Sequence, residues 1–196
     1  MDEFGVVLRR DMCRYTNNPA GFLVKSIKNL YSHPAFAGVV FYRIGRWLWL
    51  RRSNPAFRVA YMLTRLIYPL VRWHSGVELQ ARTQIGPGLC LMHFGPIVIH
   101  PDVVAGEDLT ILPGVTIGED NRGTPVIGDR VAVGAGVLII GRVSVGNDVN
   151  IGAGAVVVKD LPAHCTAVGV PAKPLERPLS DARPAELRVD TTPSSL

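Results

Sequence analysis

"IGDRVAVGAGVLIIGRVSVGNDVNIGAGAVVVKD", residues 127–160, decides the fold. Within it Ile127, Val133, Ile139, Val145, Ile151 and Val157 recur every six residues, and Gly follows four of them. Upstream, Leu79, Ile85, Leu91, Ile97, Val103, Leu109 and Val115 keep the same period. The series breaks at "EDNRGTP", Glu119–Pro125, and resumes in phase. A helix wants a period near 3.6 and a strand a period of 2, so six is neither as an amphipathic pattern. It fits short strands joined by tight turns and wound as a solenoid with three strands per coil, the small residues letting the backbone turn. Each coil then takes eighteen residues, and residues 79–161 make between four and five coils. The Glu119–Pro125 break reads as a loop protruding from the prism, a common place for function.

The flanks differ. Residues 1–75 read as an N-terminal helical region: "PAFAGVVFYRIGRWLWLRR" begins at Pro34, while Asn54-Pro55 caps a second helix that Gly76 stops. Both helices are too apolar to stand alone at a surface. Residues 76–172 are the repeat domain. Residues 173–196, rich in Pro, Ser, Thr and charge, read as a disordered tail. The expected class is therefore mainly β, a parallel β-helix of hexapeptide repeats behind a helical region.

Charge is unevenly spread. Residues 1–75 carry 12 Lys/Arg against 3 Asp/Glu, whereas the remainder carries 9 against 13. No nucleic-acid partner is expected. Three cysteines, odd in number and far apart, match no disulfide framework or CxxC metal pattern and favour a reducing cytoplasm. With the acidic opening Met1-Asp2-Glu3 where a positive n-region should be, no signal peptide is expected. The longest uncharged run, 83–101, is broken by Gly86, Pro87, Gly88, Gly95, Pro96 and Pro101, so no membrane span is expected. The basic aromatic segment "FYRIGRWLWLRR" does suit peripheral contact with a membrane surface.

An imidazole in so apolar a repeat asks for a reason. His93 follows Leu91 by two, and Glu78 lies fifteen residues earlier, three short of an eighteen-residue coil. A carboxylate beside an imidazole orients one tautomer and stabilises the imidazolium once a proton is taken. His100 is the competing base but has no matched carboxylate in this reading. His33, His74 and His164 are expected to be structural or solvated, and Cys90 a buried small hydrophobe rather than an acyl carrier.

The run "GVELQARTQIGPGLCLMHFGPIVIHPDVVAGEDLTILPGVTIGED" resembles the core of serine O-acetyltransferases, and "YRIGRWLW" and "AVGVPAKPL" resemble the same family. The resemblance implies a left-handed parallel β-helix and acetyl-CoA as co-substrate. It implies His93 as general base and Glu78 as the acid that orients it. It also implies a homotrimer, or a dimer of trimers, with acetyl-CoA in a groove between subunits. Packing within such a trimer is then the competing reading for the apolar basic helices. The turns Gly134-Ala135-Gly136 and Gly152-Ala153-Gly154 let the backbone approach the pantetheine arm, and Lys159 and Lys173 are candidates for the phosphates. No metal is expected: a zinc site of the γ-class carbonic anhydrase kind needs three convergent histidines, and the pair His93 and His100 has the wrong spacing.

Three departures bear on the acceptor. The family's serine-binding aspartates match Met92 and Asn18, and its loop histidine falls at Gly123–Thr124. An ammonium needs an anion when desolvated. Together with Glu in "GVELQ", which resembles the colanic acid acetyltransferase branch, these favour a saccharide hydroxyl in extracellular polysaccharide biosynthesis. Serine is the alternative acceptor, and a non-catalytic scaffold is the alternative from another class. The chain ends in Leu196 where that family docks cysteine synthase through an isoleucine, so no such partner is expected.

Overall fold

The computed structural model describes residues 3–15 and 34–176. Among the described residues fourteen short strands wind into a parallel β-helix whose three flat faces are three sheets, and a fifteenth returns antiparallel. The first face stacks β1 (Val77–Leu79), β4 (Ile97–Ile99), β7 (Thr116–Gly118), β10 (Leu138–Ile140) and β13 (Val156–Val157). The second stacks β2 (Gln84–Ile85), β5 (Val104–Ala105), β8 (Val126–Ile127) and β11 (Ser144–Val145). The third stacks β3 (Cys90–Leu91), β6 (Thr110–Ile111), β9 (Ala132–Val133), β12 (Asn150–Ile151) and β14 (Cys165–Val168), against which β15 (Lys173–Glu176) returns antiparallel. Residues 173–176, read from sequence as the start of a disordered tail, are thus a strand. Residues 177–196 and Asn18 lie outside the described residues.

The core is a stack of aliphatic side chains from successive coils. Leu79, Ile99, Ile117, Ile139 and Val157 form one buried column on the first face. The coil is not a constant eighteen residues, however. Val77 stacks on Ile97, twenty residues on, whereas Thr116 stacks on Leu138, twenty-two on, and Leu138 on Val156, eighteen on. Two residues are inserted in the turn between β3 and β4, and four in Glu119–Pro125. The two insertions sum to one six-residue repeat, which is why the sequence series resumes in phase. Between them the series runs through the second inward position, two residues before the column that the stacking defines; Ile97, Val103, Leu109 and Val115 are buried there.

Among the described residues three helices precede the coil: α1 (Glu3–Cys13), α2 (Pro34–Leu50) and α3 (Pro55–Ser75). The Asn54 side chain accepts the Ala56 N–H at 2.9 Å, Pro55 opens α3, and Gly76 ends it at φ 71°. A first coil exposes unpaired strand edges, and here helix side chains cover them. The Tyr42 hydroxyl donates to Thr83 O at 2.8 Å and accepts Ile85 N–H at 3.2 Å. The Tyr15 hydroxyl accepts Leu91 N–H at 2.7 Å. Asp11, fully buried, accepts from Gly88 N and Leu89 N at 2.7 and 2.8 Å. Arg43 donates to Ile85 O and Gly86 O, both at 2.7 Å, and to Asp11 Oδ2 at 2.7 Å. These four side chains thereby stand in for the strand that would lie beneath β2 and β3.

Candidate active site

The turn that carries His93 joins the third face to the first. On successive coils the same edge carries Pro113-Gly114, Gly134-Ala135-Gly136 and Gly152-Ala153-Gly154. A backbone ladder runs up it: Gly114 N–H to Pro96 O at 2.7 Å, Gly136 N–H to Pro113 O at 2.9 Å, and Gly154 N–H to Ala135 O at 2.8 Å. Gly136 and Gly154 stand at φ 69° and 70° with open space where a side chain would project, so backbone conformation rather than crowding requires glycine there. At Gly95 the reason is crowding, since a Cβ would lie 2.5 Å from Pro113.

The two Gly-Ala-Gly turns differ from the sequence reading in one respect. The N–H groups of Gly134, Gly136, Gly152 and Gly154 are all taken by the coil-to-coil ladder. Among the described residues, the Ala135 and Ala153 N–H groups, on exposed turn tips, are bound to no backbone carbonyl. They are the donors this edge offers a ligand.

His93 sits at the bottom of that edge in the longer turn, exposed and left-handed at φ 61°. A non-glycine residue at positive φ is uncommon and is found where surrounding structure imposes it. The inserted residues push the turn outward, with Phe94 beside it 61% exposed. Among the described residues, no hydrogen bond or ion pair engages the His93 imidazole.

Glu78 projects from the outer side of β1 and stacks on Val98. Because this coil has twenty residues, Glu78 lies five positions past His93 in register, on the adjoining face rather than on the same edge. Its carboxylate pairs with Arg72 Nη1 at 3.1 Å, and no hydrogen bond joins it to His93. Lys159 is exposed on the edge between the first and second faces, away from the glycine turns, whereas Lys173 pairs with Val168 beside the last turn of the His93 edge.

His100 is better provided than its sequence suggested. Glu119 Oε1, at the start of the protruding loop, lies 3.4 Å from His100 Nε2, and His100 Nδ1 accepts the Asp102 N–H at 3.3 Å. The carboxylate comes from the next coil, nineteen residues on, and only the loop geometry reveals it. Both ring nitrogens of His100 are therefore occupied: Nδ1 as acceptor fixes the tautomer, and Nε2–H faces a carboxylate. A base needs a free lone pair, and of the two imidazoles His93 has one. The loop is a tight turn in which Asp120 and Gly123 exchange N–H···O bonds at 3.1 Å and Arg122 holds the Asp120 carboxyl below the usual range. Cys90 is buried, and burial pushes its thiol up, against thiolate chemistry.

A cavity of about 170 Å³ lies elsewhere, between α2, α3 and Leu79–Ala81, lined among others by Tyr42, Tyr61, Arg65 and Tyr68. It contains none of the candidate site residues. Among the described residues no three His, Cys, Asp or Glu side chains are grouped to hold a metal ion.

A parallel β-helix of six-residue repeats with an exposed imidazole at a glycine-lined edge defines a hexapeptide-repeat transferase. No family model matches the chain. A serine acetyltransferase of Helicobacter pylori J99 is 37% identical over 152 residues, covering 76% of this chain and 85% of that protein. One from Synechococcus elongatus is 32% identical over 152 residues, but this chain spans only 59% of its length. The crystal structure of Neisseria gonorrhoeae serine acetyltransferase in complex with serine aligns with TM-score 0.72 and 30% identity over 88% of this chain and 69% of that one. That of the Brucella abortus enzyme in complex with coenzyme A aligns with TM-score 0.73 and 26% identity over 89% and 68%. The chain belongs to the serine acetyltransferase family.

These relatives overturn the saccharide acceptor inferred from Met92, Asn18 and Gly123–Thr124. That inference weighed matched positions only. The loss of two carboxylates there does not strip the surface of anions, because Glu119 is exposed on the coil and Glu78 half-exposed.

Proposed function

We propose that this protein transfers the acetyl group of acetyl-CoA to the hydroxyl of L-serine. The similarity to serine acetyltransferases across three quarters of the chain carries the choice of acceptor. In this reading the serine hydroxyl attacks the thioester carbonyl as His93 takes its proton. The C–O bond forms, the C–S bond breaks, and the proton on the imidazolium passes to the departing thiolate. The products are O-acetylserine and CoA. Ala135 and Ala153 N–H groups face the amide-bearing pantetheine arm, and Lys173 at the end of the same edge is the nearer of the two lysines considered for the phosphates. Assembly as a trimer that shares this edge between subunits belongs to the same proposal.

Glu78 stands on the face next to that edge, and Arg72 is a positioning residue whose ion pair holds the Glu78 carboxylate outward. Arg72→Ala is expected to lower kcat by about tenfold, as for one lost charge-assisted hydrogen bond, with the KM for acetyl-CoA unchanged. Arg72→Lys restores most of the rate. An Arg72→Ala rate identical to the parent's would show that Arg72 has only a surface role.

Thiol release from acetyl-CoA, followed with L-serine and with a panel of other hydroxyl compounds including glycans, tests the reading. Turnover at least about a hundredfold faster with L-serine is expected, well inside the roughly 10⁴–10⁵-fold by which a site built to hydrogen-bond a polar group rejects an analogue lacking it. Turnover with another acceptor and none with serine would reject it.

A further inference from the structure

The side of α3 turned away from the coil is apolar. Val59, Met62, Leu66, Ile67, Leu70 and Trp73 follow one another at helical spacing and are between 50 and 86% exposed. Soluble surfaces rarely leave a continuous stripe of this size open. Charge indicates what covers it. From Pro34 to Ser75 the chain has seven arginines and no Asp or Glu. Arg58 and Arg65, one heptad apart on one flank of the stripe, are exposed, and among the described residues neither has an ion-pair partner. Arg51 and Arg52, in the turn before α3, lie over the rings of Trp47 and Trp49 at 4.6 and 3.9 Å. Residues 16–33 add Lys25 and Lys28 and again no acid.

A second copy of this face would bring arginine against arginine. A bilayer containing anionic lipid offers the complement: acyl chains for the stripe and phosphates for the guanidinium groups. Among the described residues no helix is long and apolar enough to cross a membrane, so the geometry is that of a helix lying on the surface. We propose that α3 docks the protein onto an anionic lipid surface, its apolar stripe in the acyl boundary and Arg58 and Arg65 on the headgroup phosphates. The proposal stands apart from the choice of acceptor, since none of these side chains belongs to the His93 edge.

The test is co-sedimentation of the full chain with vesicles of phosphatidylcholine alone and of phosphatidylcholine with one third phosphatidylglycerol, at low and high salt. Binding to the anionic vesicles is expected to be at least tenfold tighter and to weaken with salt. Leu66→Asp/Leu70→Asp abolishes it, and Arg58→Gln/Arg65→Gln weakens it about thirtyfold, at roughly fivefold per arginine. Circular dichroism and acetyl transfer should be unchanged in both variants. Equal binding to neutral and anionic vesicles, or binding to neither, overturns the proposal. So does light scattering in which Leu66→Asp/Leu70→Asp dissociates an oligomer that never sediments with lipid, because the stripe is then an interface between copies.

Discussion

His93→Ala is expected to slow acetyl transfer to serine by about 10²–10⁴-fold, the usual contribution of a positioned general base. The loss falls on kcat, with the KM for acetyl-CoA and the urea midpoint close to the parent's. Stability should hold because the imidazole is exposed and makes no contact that the coil needs. The left-handed backbone at φ 61° costs alanine at least as much as histidine, so no gain in stability is expected. His100→Ala is the control: with both ring nitrogens already engaged, that residue should contribute far less. Steady-state kinetics on the two variants separate the bases. A His93→Ala enzyme with full turnover, or a His100→Ala enzyme with the larger defect, assigns the proton to the wrong imidazole.

Asp11→Ala is expected to cost about 3–5 kcal/mol of stability, as when one partner of a buried ion pair is removed. The Arg43 guanidinium, 5% exposed, would lose its counter-ion, and the Gly88 and Leu89 N–H groups would lose their acceptor in the same step. Urea denaturation followed by circular dichroism checks it. Asp11→Leu/Arg43→Met, which removes both charges, should recover a large part of the loss, although Ile85 O and Gly86 O then lack donors. A loss below about 1 kcal/mol in Asp11→Ala would mean that α1 does not close the first coil.

The coil itself was legible because its inward positions must be aliphatic on every turn, and six-residue spacing survives in the sequence as Ile127 to Val157. The legibility was partly fortuitous: insertions of two and four residues restored the phase, so neither disturbed the count. The coil length suffered for it. Eighteen residues per turn placed Glu78 beside His93, and a twenty-residue first coil moves it onto the neighbouring face, against Arg72. What joins distant parts of the chain could not be read. Asp11 meets Gly88 across 77 residues and Tyr42 meets Thr83 across 41, and a single side chain filling in for a strand leaves no periodicity. Glu119 was hidden for a similar reason: its loop interrupts the repeat, so no register placed it over His100. The Gly-Ala-Gly turns were legible as turns, yet only the hydrogen bonds show that the alanine amides are the open ones.

The account stands on one edge of the prism, where His93 begins a column that continues through Ala135 and Ala153. A crystal structure of the protein with coenzyme A tests that most directly. The predicted result is a pantetheine arm running along this edge, its amides on Ala135 and Ala153 N–H and its thiol end within reach of the His93 imidazole. Coenzyme A bound along the edge of Glu119–Pro125 and Lys159, with its thiol far from His93, would contradict it.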